Sequence, residues 1–128
     1  MEFELHPRIA VETGTFTLIM APLPMMLEAL NGCDALQQYA TLYISGNYSQ
    51  LLSGIHRTRQ NLDVQRGFTG YQLLTILQEA PHTILFIEHD PGLYEGEEGR
   101  RLIFPASMAM REAARNAAVI LYAPGITC

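Results

Sequence analysis

An α/β domain with a mostly parallel sheet between two helical layers is the fold this sequence predicts, and three observations carry the expectation. Short apolar and β-branched runs alternate five to six times with helix-length segments at βα spacing, which requires parallel strands joined by crossovers. Several of those runs are continuous rather than alternating, as in strands covered on both faces. Hydrophobic residues make up 48% of the chain against 16% charged, a surplus that suits a buried sheet and an oligomer interface. The 128 residues are enough for one domain, 1–128, with its own core, and too few for two.

The elements follow in order. Met1–Val11 alternates loosely through Phe3, Leu5, Ile9 and Val11 and is interrupted by Pro7, so it is expected as an edge strand or a clasp over the sheet. Thr15–Met20 is an unbroken apolar and β-branched run, expected as a strand buried at the structural centre of the sheet. Pro22 and Pro24 force a turn, and a proline costs nothing in a helix's first turn, so Met25–Leu30 continues as a helix until Asn31-Gly32. Asp34 is placed to cap a short helix through Gln38. Thr41–Ile44 is the second buried strand, and Ser49–His56 reads as a helix with Leu51, Leu52 and Ile55 on one face.

Leu62–Phe68 is a third strand candidate. Thr69 then caps a helix over Gly70–Glu79, with Leu73, Leu74, Ile76 and Leu77 inward and Pro81 ending it. Thr83–Ile87 is a buried strand with a polar end, Glu88-His89-Asp90-Pro91, and the acidic, Gly-rich stretch Pro91–Gly99 reads as a mobile loop. Pro105 opens a helix, Ala106–Ala117, and Ala118–Tyr122 is a final buried strand stopped by Pro124-Gly125. Ligands on such sheets bind beyond the carboxyl ends of the strands, here near 21–24, 45–48, 88–91 and 123–125.

Charge and residue usage narrow the chemistry. The net charge is −5, which disfavours broad nucleic-acid affinity. All eight basic residues are arginine, so no Schiff-base, general-base or phosphate-loop lysine exists in this chain. Cys33 and Cys128 sit in no CxxC or Cys/His cluster and are expected as free thiols in a reduced compartment. With no targeting segment and no apolar run near membrane length, the protein is expected to be cytoplasmic.

Four landmarks, in order, resemble the ATPase core of the RecA/RadA recombinases and KaiC-like proteins. Gly14–Leu30 resembles the opening strand, phosphate loop and helix. Thr41–Tyr48 is similar to the second strand, whose end carries that family's catalytic glutamate. The segment Val64-Gln65-Arg66-Gly67-Phe68-Thr69-Gly70-Tyr71-Gln72-Leu73-Leu74 resembles the following strand-to-helix segment of archaeal RadA. Ile84–Glu88 resembles the Walker B strand, and Ala118–Pro124 the strand after it. The resemblance spans about residues 14–125 and implies a three-layer, P-loop NTPase-like topology.

It also implies a degenerate nucleotide site. A Walker A loop, G-x-x-x-x-G-K-[ST], needs glycines so that backbone N–H groups wrap the phosphates, a lysine for the β/γ-phosphates and a hydroxyl for magnesium. Laid on 21–28, Ala21 and Met26 replace the glycines, Leu27 the lysine and Glu28 the hydroxyl. The catalytic glutamate falls near Gly46-Asn47, neither of which can act as a base. Only Glu88 matches, as the Walker B acid.

Glu88-His89-Asp90 sets carboxylate, imidazole and carboxylate at a strand end, with His82, Tyr94 and Glu95 close in sequence. Such a set can bind a divalent metal through Glu88, His89 and Asp90, or act as acid and base through Glu88 and Asp90. Strand alternation lets Glu88 and Asp90 share a side while His89 faces away. The competing reading is an Asp-Pro turn with a solvated histidine. Arg57, Arg59 and Arg66, near Tyr48 and Tyr71, can grip a phosphate or an acidic partner, against the competing reading of a solvated face. Ala106, Met108, Ala109, Met110, Ala113, Ala114 and Ala117 make the last helix small-sided, for close packing or for a dimer interface using its methionines.

The expected function is therefore a non-catalytic domain, without a cofactor, that binds another protein and forms a homodimer. The resemblance implies an accessory or regulatory paralogue in DNA recombination or repair. One alternative is a metal-dependent enzyme or binder using the Glu88–Asp90 strand end, and another is a weak nucleic-acid accessory protein using the three arginines.

Overall fold

A computed structural model describes residues 2–6, 9–55, 62–67 and 69–124. Its centre is a five-stranded sheet, entirely parallel, formed by β3 (Phe16–Ala21), β4 (Thr41–Ser45), β5 (Leu62–Arg66), β6 (Ile84–Glu88) and β7 (Ala118–Pro124) in the order β3-β7-β6-β4-β5. A separate antiparallel pair, β1 (Glu2–His6) and β2 (Ile9–Glu12), pairs Phe3 with Val11. Phe3, Leu5 and Val11 are buried in the core on the α1 side (Leu23–Gly32), so this segment is a clasp and not an edge strand of the main sheet.

Two apolar clusters flank the sheet. On one face Ile19, Tyr43, Phe86, Ile120 and Tyr122 pack with α1, the clasp and Leu36 of α2 (Ala35–Gln38). On the other, Leu42, Ile44, Leu85, Ile87 and Val119 pack with α3 (Gly70–Glu79) and α5 (Ile103–Ala113). The result is helix-bearing layers on both sides of a parallel sheet, the arrangement that lets β4 and β6 be buried at every position. Among the described residues no helix is long and apolar enough to cross a membrane.

α3 starts where the sequence puts it. Thr69 is extended and its Oγ1 accepts from Gln72 N at 3.2 Å, and Leu73 and Leu77 are its buried stripe. α1 begins at Leu23 with Pro24 in its first turn, and Pro105 sits likewise in the first turn of α5. Asp34 precedes α2, although its side chain makes no capping hydrogen bond.

Four expectations need correction. β3 is not the structural centre of the sheet but an edge strand, with Ile19 and Ala21 facing the core and Phe16, Leu18 and Met20 exposed. The helix expected over 49–56 is, among its described residues, only a 3₁₀ turn at Leu52–Gly54, although Leu51, Leu52 and Ile55 are buried. Side-chain contacts from β6 hold this segment in its turns. The stretch 91–99 is not an open loop: Pro91–Tyr94 forms a 3₁₀ turn and Gly96–Arg100 a short helix, α4, with Glu97 and Glu98 in the first turn, where the helix dipole favours acids. The methionines of α5 do not form one exposed stripe, since Met110 is core and only Met108 is exposed.

Candidate functional site

All five strands run the same way, so their carboxyl ends lie along one edge of the sheet, and the polar residues named from the sequence cluster there. β4 and β6 are neighbours, with Ile44 beside Ile87, which brings the loop after Ser45 against Glu88 and Asp90.

Glu88 is only 5% exposed and its carboxylate is fully engaged. Tyr43 Oη and Ser49 Oγ donate to Oε1, the latter at 2.6 Å, and Gln50 N donates to Oε2 at 2.7 Å. Ser49 Oγ in turn accepts from Leu52 N at 2.9 Å. One buried carboxylate thus ties the loop after β4 to β6. Satisfying a buried charge in this way is what makes it tolerable.

Asp90, 9% exposed, works similarly. Its Oδ2 accepts from Asn47 N and its Oδ1 from Gly92 N, both at 2.9 Å, bridging the loops after β4 and β6. Gly46 is where the two meet. A Cβ there would lie 2.3 Å from Asp90 Oδ2 and 2.7 Å from Asp90 Cβ, so only glycine fits while Asp90 keeps its bonds. His89 turns to the other face, where its ring stacks on Tyr94 with centroids 5.9 Å apart, while its backbone N–H donates to Tyr122 O at 2.8 Å.

The three residues named as a metal set therefore do not converge. Among the described residues, no group of three or more His, Cys, Asp and Glu side chains comes together as a metal would require. His82 lies at the opposite end of the sheet, bonded through Nε2 to Asp63 at 2.7 Å. Of the arginines, Arg66 is exposed at the end of β5, while Arg57 and Arg59 lie outside the described residues, as do His56 and Cys128. Cys33 is a buried free thiol whose Sγ donates to Glu4 O.

The turn between β3 and α1 is a single residue, Pro22. A phosphate loop wraps its ligand with consecutive backbone N–H groups. Here Pro22 and Pro24 have none, and Met26 N is already bonded to Pro22 O at 3.1 Å. Tyr122 Oη donates to Ala21 O at 2.7 Å and pins the strand end.

Three tyrosines at this edge have their pKa raised above the ordinary phenol value, Tyr43 strongly so. Burial is the main cause for Tyr43, followed by its hydrogen bond to Glu88. For Tyr122 it is burial, then the Glu88 charge, and for Tyr94 burial, then the Asp90 charge. A raised folded-state pKa gives stability that is complete below the unfolded value near 10 and is lost as pH rises beyond it. Denaturant titrations from pH 8 to pH 11 should show stability falling above about pH 10, and Tyr43→Phe should shallow that fall. A stability flat to pH 11 would contradict the assignment.

Sequence reading did not give Tyr43, Ser49 or Gly46 the roles they have here. Tyr43 reads as one more apolar strand residue, and Gly46 only as part of the place where the resemblance puts a catalytic glutamate. Only the pairing of β4 with β6 gives them their roles.

An uncharacterized protein of Archaeoglobus fulgidus is 38% identical to this chain over 109 residues, covering 85% of this chain and 54% of that protein. The chain thus spans about half the length of the curated relative it matches. No protein-family model matches the chain.

Proposed function

We propose that this is a non-catalytic domain of RecA/RadA/KaiC-like descent that acts by binding protein, as an accessory or regulatory paralogue of the recombinase kind. The observation that carries the reading is the state of the carboxyl edge. The position resembling the Walker B acid, Glu88, is used up by three hydrogen bonds, one from Tyr43 of β4 and two that hold the loop after it. Further support comes from the landmarks all falling on strands of one parallel sheet, which in space run in the order β3-β7-β6-β4-β5. The prolines at the β3–α1 turn remove donors that a triphosphate would need, and Glu28 adds a repelling charge on α1.

The test is a thermal-shift titration with ATP and magnesium. The melting temperature should not move at nucleotide concentrations far above those at which a working ATPase saturates, because a ligand that binds only the folded state must raise it. A rise of several degrees, reversed by chelating magnesium, would overturn the reading.

A further inference from the structure

We propose that the open edge of β3, with the groove beside α5, is a self-association surface through which two copies join β3 to β3 in one continuous sheet. The proposal rests on the protein-binding reading above and names its partner as a second copy of this chain.

The two edges of the sheet differ in kind. β5 carries Asp63, Gln65 and Arg66, and such charged, polar edges resist pairing with another chain. β3 carries no such protection: from Thr13 to Leu27 the sequence has no charged residue. Among the described residues β7 is its one neighbour in the sheet, so no described strand pairs with its outer backbone edge. Its uncovered face shows Phe16, Leu18 (55% exposed) and Met20 (62%).

The groove continues that face. Phe16 lines it together with Leu121, His89, Tyr94 and the α5 residues Ile103 and Met110, around about 330 Å³. Ile103 is half exposed, and Phe104, next on the helix, is 71% exposed. α5 thus leaves the sheet bare over β3, where a three-layer domain would be covered. The five exposed apolar side chains offer on the order of 500 Å² per protomer, so a pair reaches about the 1,000 Å² that a specific interface needs.

Self-pairing suits this strand. Identical edges meeting across a twofold axis pair antiparallel. With the axis at Leu18, Leu18 faces its own copy and Phe16 faces the second copy's Met20, so one face carries an unbroken apolar row. The two β7 strands would then be three strand spacings apart, about 14 Å, and both α5 helices would lie on the same side of the joined sheet. Ile103 and Phe104 from each copy would fill the space between them. A net charge of −5 makes two copies repel generally, and the stretch 13–27, which carries no charged residue, adds nothing to that repulsion.

Light scattering and sedimentation across the micromolar range should give twice the protomer mass. Leu18→Lys sets two cations opposite each other and should weaken association at least about tenfold. Val64→Lys on the β5 edge should leave the dimer intact. In a Cys128→Ser background, Leu18→Cys should form a covalent dimer on oxidation, which keeps the test open if the lysine variant fails to fold. A wild-type monomer at every concentration would overturn the proposal. So would a dimer that Leu18→Lys leaves untouched and Leu18→Cys fails to cross-link. Neither outcome moves the nucleotide titration, so the protein-binding reading stands or falls separately.

Discussion

Glu88→Ala should cost about 3–5 kcal/mol of folding stability, read as a large drop in both the denaturant midpoint and the melting temperature. The substitution does more than delete a side chain. It leaves Tyr43 Oη buried without its acceptor, orphans Gln50 N and releases Ser49. An unmet buried donor such as Tyr43 Oη costs about 1–3 kcal/mol, more than the net gain of the bond when made, and the part-buried Ser49 and Gln50 donors add a smaller loss. Glu88→Gln keeps the shape and can still accept, so its loss should be about half as large. The comparison also bears on function. If Glu88→Ala folded as stably as the parent chain, the carboxylate would not be a structural tie and would be free for chemistry, and the non-catalytic reading would lose its main support.

Much of the fold was legible in the sequence because burial on both faces writes itself as continuous apolar runs. Thr41–Ile44, Thr83–Ile87 and Ala118–Tyr122 are such runs, and the layers packed on the two faces of the sheet cover them. α3 was legible for a different reason: a capping threonine, apolar spacing of three to four, and a closing proline are all local. β3 was misplaced because a run such as Phe16–Ala21 looks the same whether its second face is covered by this chain's helices or by another surface. Strand order is a property of long-range pairing, and no local pattern reports it. The segment after β4 failed as a helix because contacts from elsewhere decide it. Glu88 holds Ser49 and Gln50, and a Cβ on Gly54 would lie 2.6 Å from Leu27 Cδ2.

The candidate site divides in the same way. Glu88, His89 and Asp90 stood out as polar groups at a strand end, and Glu88 and Asp90 do share the β4 loop while His89 leaves it. What they do there depends on Tyr43, Ser49 and Gly46, forty or so positions away in sequence. Those partners become visible only once β4 lies beside β6. The arrangement resembles that of a metal or acid–base site in residue type and departs from it in geometry, because each carboxylate points at an N–H or hydroxyl of the protein itself.

Phe86→Ala should be the other large loss, about 3–5 kcal/mol, and it should reach the site as well as the core. Phe86 is fully buried and stacks between two tyrosines, with centroids 5.3 Å from Tyr43 and 6.1 Å from Tyr122. The three rings form a row across β4, β6 and β7 on the α1 face, and both outer rings end in hydroxyls that hold the carboxyl edge, Tyr43 on Glu88 and Tyr122 on Ala21 O. Truncating the middle ring removes packing on both sides and opens a cavity that the sheet, fixed by its hydrogen bonds, cannot close. Water entering that cavity would ease ionisation of both phenols, so the alkaline fall in stability should become shallower together with the overall loss. Phe86→Leu, which refills much of the volume, should recover most of the stability. Denaturant titrations of the two variants at pH 8 and pH 11 would check both parts. If Phe86→Ala lost less than about 1 kcal/mol, the aromatic row would be incidental packing, and the rigidity of the Glu88 tie would need another source.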